Sequence, residues 1–154
     1  MREQFERPRD KDPRIHAEVG GARSINWRRL EEIGDLHFHS YSFSSALDYY
    51  QQVYSTPAFS EVPVADGLGI LQKAIDCMVY QGNLDGAESL LIRAEDILTT
   101  RKNEIDLVDM PVIRARFQVR HAVFLREQSQ LHECLRMAKM AFATLALTDE
   151  HLEV

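Results

Sequence analysis

Tyr41-Ser-Phe-Ser-Ser-Ala46-Leu-Asp-Tyr49-Tyr50-Gln-Gln-Val53 and Gly82-Asn-Leu84-Asp-Gly-Ala87-Glu-Ser-Leu90-Leu91-Ile-Arg-Ala94 align residue for residue without a gap. In each stretch an apolar residue, Phe43 or Leu84, is followed three positions later by Ala. Four later stands Tyr50 or Leu91, and three beyond that Val53 or Ala94. Leu131, Cys134, Ala138 and Ala141 make a weaker third copy. Self-similarity at a period of tens of residues is the mark of stacked helix pairs. Stacked pairs build curved surfaces that bind other chains.

Working outward, the apolar residues recur at helical spacing on both sides of these stretches. Ser24 or Asn26 can cap a first helix through Trp27, Leu30, Ile33, Gly34 and Phe38, ending near Ser40 to Ser42. Gly34 inside it costs about 1 kcal/mol relative to Ala, which a close helix–helix approach would explain. A second helix runs from about Phe43 to Ser55, where Thr56-Pro57 closes it. After a connector over 57–63, Leu68, Leu71, Ala74, Ile75, Met78 and Val79 form the apolar face of a third. Gly82 suits a left-handed cap at its end. A fourth helix is expected over Leu84 to Thr100 and a fifth over Asp106 to Glu127, with Pro111 in its first turn or at its start. A sixth covers Leu131 to Leu147, with Leu131, Cys134, Leu135, Ala138, Ala141, Phe142 and Leu145 as its apolar residues. No alternating strand pattern of useful length exists. Residues 1–23, with Arg-Pro-Arg-Asp-Lys-Asp-Pro-Arg and Gly20-Gly21, cannot bury enough to offset their ordering entropy. They read as a flexible arm before a helical domain at 24–154.

Composition agrees with one domain: 154 residues, 45% apolar and 27% charged. No apolar run is long enough to span a membrane. Met1 to Asp10 lacks the apolar core of a secretion signal, so a cytoplasmic location is expected. Cys77 and Cys134 both fall in apolar helical patterns and read as buried free thiols rather than a disulfide. The net charge of −6 is uneven: residues 31–110 hold four Lys/Arg against fourteen Asp/Glu. An acidic middle argues against nucleic acid, because phosphate binding needs a clustered positive field.

The chain resembles the tetratricopeptide repeat family over about residues 25–147. The matching residues in the first unit are Gly34, Tyr41, Phe43, Ala46, Tyr50 and Val53, with Pro57 near the expected terminal proline. Ile75, Gly82, Leu84, Ala87, Leu91 and Ala94 match in the second, and Ala122, Leu125, Leu131, Cys134, Ala138 and Ala141 in the third. The resemblance implies an all-α, right-handed array of about three antiparallel helix hairpins, a tetratricopeptide-like α-solenoid. Small residues such as Gly34 opposite Ala46 would let the backbones approach. The units depart from the family length of about 34 residues: Ala46 to Ala87 is 41 and Ala87 to Cys134 is 47.

In this family the first helix of each unit lines a concave groove. The resemblance therefore nominates Arg28, Glu31, Asp35, Phe38 and His39 from unit one and Gln72, Asp76, Val79 and Tyr80 from unit two. Unit three contributes Arg116, Val119, Val123, Arg126 and Glu127. Such a groove would be acidic at one end (Glu31, Asp35, Asp76) and basic at the other (Arg116, Arg126). Members that clamp a C-terminal carboxylate use Lys and Asn where this chain has Glu31 and Asp35, and two carboxylates would repel that ligand. A protein or peptide partner with basic character at one end is the expectation.

Catalytic patterns are missing. No nucleophile elbow, phosphate loop or zinc-binding His-Glu-x-x-His occurs, and Asp66-Gly-Leu-Gly69 reads as helix initiation. His37 and His39 lie two apart and diverge by roughly 200° around a helix, so they cannot share a metal. The function expected is a non-catalytic protein–protein interaction module without metal or cofactor, with a place in a larger regulator or assembly factor as one setting for it. The alternatives are an oligomerisation domain joined through an apolar array end and a sensor with an enclosed pocket for a small signal molecule. No polar capping helix follows Leu147, so that array end is expected to pack on another copy or on a downstream segment.

Overall fold

Asn26 opens the first helix as its spacing predicts: the side-chain oxygen accepts from Arg29 N–H at 3.2 Å. The computed structural model describes residues 25–149, so the expected arm at 1–23 lies outside them. Within them are six α-helices and no strand. They are α1 (Trp27–His39), α2 (Phe43–Tyr54), α3 (Val64–Tyr80), α4 (Leu84–Thr100), α5 (Met110–Glu127) and α6 (Leu131–Asp149). Two short 3₁₀ turns, Pro57–Glu61 and Lys102–Glu104, occupy the connectors.

α3 begins at Val64, directly after Pro63, where the expected connector over 57–63 ends. Gly67 does not interrupt it, because the buried Phe59 ring of the first 3₁₀ turn fills the space beside it, 3.1 Å from where a Cβ would stand. α5 starts at Met110, which puts Pro111 in its first turn where no N–H bond is lost.

One turn recurs three times. Tyr41, Gly82 and Ser129 each adopt a left-handed conformation, at φ 59°, 74° and 60°. The next residue's N–H, on Ser42, Asn83 or Gln130, reaches back to His37, Met78 or Leu125 O at 2.9 Å each. This closes α1, α3 and α5 with the same bond from the residue that opens the next helix.

α1 packs on α2, α2 on α3, α3 on α4, and α5 on α3, α4 and α6. The core is centred where α2 meets α3: Tyr50, Val53, Leu68, Ile70, Leu71, Ile75 and Cys77 are almost wholly buried. Each aliphatic side chain of that set contributes about 1.5–3 kcal/mol by leaving water. Ala46 and Ala87 are both at 0% exposure, so the two template positions are equivalent in burial. Gly34 serves a different neighbour from the one expected. A Cβ there would meet the Tyr50 ring at 2.5 Å, so glycine makes room for that ring and not for Ala46.

The third copy departs from the other two. Ala141 and Met137 are buried, but Leu131, Leu135, Ala138, Phe142 and Leu145 are exposed. The apolar face expected of α6 is thus only partly core.

Candidate functional site

The charged groove candidates of α1 and α3 are held by cations two helices further along the chain, on α3 and α5. Lys73 Nζ lies 2.9 Å from Glu31 Oε1 and 2.8 Å from both carboxylate oxygens of Asp35. Tyr50 OH donates to Asp35 Oδ1 at 2.7 Å. Burial opposes the Lys73 charge, but its bonds to Asp35 and Glu31 outweigh that and hold the ammonium above the usual lysine range. Burial first, and the bond to Asp35 second, push the Tyr50 phenol far above its ordinary value.

The second rung joins α3 to α5. Arg120 donates to Asp76 Oδ2 at 2.8 Å and to the Arg116 carbonyl at 3.1 Å. Burial raises Asp76, and Arg120 counters it only in part. The Arg120 Nε has no partner among the described residues. Position explains why the rungs repeat. Asp35 and Asp76 stand 11 residues before Ala46 and Ala87, while Lys73 and Arg120 stand 14 before Ala87 and Cys134. Each acid therefore meets the cation of the following copy. Sequence reasoning picked both acids and missed both cations, although this shared offset marks them. Val123 holds the acid's place in the third copy, so the ladder stops at α5.

Beside the ladder lies an aromatic cluster. Tyr80 of α3 stacks on Phe43 of α2 with ring centroids 4.5 Å apart, and Phe38 meets Phe43 edge-on at 5.5 Å. Tyr41 adds a second edge at 6.1 Å. Phe38 and Phe43 are half-buried, whereas Tyr80 remains 67% exposed.

The structure therefore brings together Glu31, Asp35 and Lys73, then Asp76 and Arg120, then Phe38 and Tyr80. Other candidates fall elsewhere. Arg28 lies over the Trp27 ring and lines a hollow of about 560 Å³ with Ala58, Glu61 and Val62. Arg126 pairs with Glu127 at 2.7 Å and borders a groove between α5 and α6. Arg116 is exposed on α5, and Gln72 is half-buried on α3. His39 Nδ1–H donates to the Asp35 carbonyl at 2.6 Å, while the His37 ring stacks on Tyr49, so the two imidazoles diverge. Among the described residues no three His, Cys, Asp or Glu side chains converge on a metal-sized site.

The α5/α6 groove is almost wholly apolar. It measures about 370 Å³, and Val119, Ala122, Val123, Ala138 and Phe142 are among its walls. Cys134 also borders it, and both Cys134 and the buried Cys77 are free. Burial and then Asp76 push the Cys77 thiol up to about 12, which leaves it inert at neutral pH.

Among the described residues no helix is long and apolar enough to cross a membrane. In comparisons with known proteins, no family model, no curated protein and no solved structure matches this chain.

Proposed function

We propose that this chain is a non-catalytic protein-interaction module of the tetratricopeptide type, a right-handed array of the antiparallel hairpins α1/α2, α3/α4 and α5/α6. In this reading it works in the cytoplasm and holds a peptide or helix of another protein along α1, α3 and α5. The observation that carries the reading is Tyr80, an exposed ring fixed from below by Phe43 at 4.5 Å. Rigid aromatics of this kind are the usual anchors of protein interfaces. The ion-pair rungs support it, because they fix the first helices relative to each other and lower the entropic cost of binding.

The ligand's character follows from the charges. Glu31 and Asp35 share one Lys73, which leaves one net negative charge beside the aromatic cluster, whereas Asp76 is balanced by Arg120. An apolar side chain next to a Lys or Arg fits that surface. A small-molecule sensor would need an enclosed pocket, and the α5/α6 hollow is an open groove.

Affinity capture from native extract tests the reading with wild type, Tyr80→Ala and Leu145→Asp. A specific prey kept by wild type and Leu145→Asp but lost from Tyr80→Ala supports it. Identical prey on wild type and Tyr80→Ala sinks it. Tyr80 is exposed, so its removal leaves the core intact.

A further inference from the structure

α6 carries two seams. Met137 and Ala141 turn toward α5 and are buried, and Thr144 on the same side donates to Gln118 Oε1 of α5 at 3.1 Å. The second seam is Leu131, Leu135, Ala138, Phe142 and Leu145, all exposed, Phe142 by 76%. Its spacings alternate four and three, the 3.5-residue period at which one helix runs along another. Such a straight stripe along the helix axis is a surface that a second helix can cover along its length.

The groove also excludes one kind of helix. α3 and α5 each bring a cation to an acid of the preceding copy, but here Val123 replaces the acid. A further helix built like α3 or α5 would strand its cation against valine.

The seam matches itself. We propose that two copies of this chain pair through it, their α6 helices antiparallel about a two-fold axis that crosses the seam midway between Ala138 and Phe142. That axis sets Phe142 against the partner copy's Ala138, and Leu135 against its Leu145. The Phe142 ring then enters the hollow that Ala122 and Ala138 leave between α5 and α6. A parallel pair would instead press Phe142 on Phe142 and leave a void between two Ala138 methyls. The self-complementary order of large and small residues is what an isologous interface requires. Lys139 edges the seam on its solvent side, so two ammonium groups approach near the axis and added salt tightens the pair. This pairing does not depend on what Tyr80 contacts.

Sedimentation equilibrium of the whole chain, from low micromolar to submillimolar in reducing buffer, tests it. Wild type is expected as a dimer that dissociates on dilution. Phe142→Asp is expected as a monomer throughout, with unchanged helical circular dichroism; Leu135→Asp serves if that variant misfolds. Ala138→Phe loses about tenfold or more in affinity, and the swap A138F/F142A, which exchanges the large and small partners, regains it. A wild type that stays monomeric at every concentration overturns the proposal, including the case where residues 1–24 cover the seam. A dimer that survives both acidic substitutions overturns it as well. Failure of the swap to recover what Ala138→Phe lost overturns the antiparallel register.

Discussion

Tyr50, Leu91 and Ala138 hold the same position in three copies of one template and meet different fates. Tyr50 is fully buried and Leu91 nearly so, but Ala138 is exposed. The residues 12 positions before each template centre, Gly34, Ile75 and Ala122, vary with them. Where the first copy sets a glycine under a tyrosine, the second has two mid-sized aliphatics and the third two alanines. The combined side-chain volume is smallest in the third copy. This smaller volume coincides with the absence of a covering helix among the described residues: α3 lies on α2 and α5 on α4, whereas α6 packs chiefly on α5. A template position is therefore core only when the next element supplies its other wall.

The largest break in this comparison is Tyr50→Ala against Ala138→Leu. Removing the Tyr50 ring opens a cavity in the α2–α3 core and strands Asp35 without its phenol donor. The expected loss is about 3–5 kcal/mol in urea unfolding. Ala138→Leu adds a side chain to an open groove, and below the concentration of any association it should stay within about 0.5 kcal/mol of wild type. Equal losses would mean that the two positions are not distinguished by cover.

This comparison shows what was legible in the chain and what was not. Local chemistry was readable: the cap at Asn26, the left-handed Gly82, and α4 from Leu84 to Thr100 all follow from nearby residues. Three features depended on parts distant in sequence. Gly34 was matched to Ala46 because both are small, but the ring that needs the space is Tyr50, one helical turn further along. Asp35 and Asp76 looked like ligand-binding acids because their cations lie 38 and 44 residues away. The exposed seam of α6 has the same apolar pattern as a core seam, so sequence cannot separate the two without knowing that no other described helix covers it.

The ladder offers the next contrast. Lys73→Met removes the cation that two partly buried carboxylates share and should cost about 2 kcal/mol. Arg120→Met strands one carboxylate but also removes a buried Nε that has no partner among the described residues, so about 1 kcal/mol is expected. Reversal of that order would mean that the two rungs are not built alike. The α2–α3 junction should also fail in alkali. Burial holds Cys77, Tyr50 and Tyr54 above their ordinary values, and the bonds to Asp35 and Glu31 do so for Lys73. Each group keeps its proton longer when folded, so its contribution is whole below the unfolded value and fades as pH rises. The decline should begin near pH 9, the ordinary thiol value of 9.0, and steepen past the tyrosine value of 10.0. Urea midpoints at pH 8, 9, 10 and 11 measure it, and Cys77→Ala should delay the onset. A flat profile to pH 11 would show that this junction does not control the unfolding.

Gly34→Ala sharpens the volume argument. On an exposed helix the change would gain up to about 1 kcal/mol. Here the new methyl meets a ring locked by burial and by its bond to Asp35, so a net loss of about 1–2 kcal/mol is expected. The same substitution in a Tyr50→Leu background should lose less or gain, because leucine frees the space. Additive effects would remove the glycine–ring coupling.

The smallest effects test the three turns. Ser129 pays the left-handed penalty at φ 60° that Gly82 escapes at φ 74°. Ser129→Gly should therefore add about 0.5–1 kcal/mol, and Gly82→Ala should remove a similar amount. Neither side chain contributes a packing contact that would confuse the result: nothing lies within 4 Å of a Cβ at Gly82, and Ser129 is exposed. Tyr41 is a poorer probe, because replacing it also deletes its edge contact with Phe43. Opposite signs at 82 and 129 would establish that both turns hold the same backbone state in solution. A neutral Ser129→Gly would mean that the α5–α6 turn relaxes its left-handed residue, and the third copy would then differ from the others at its connection as well as at its uncovered face.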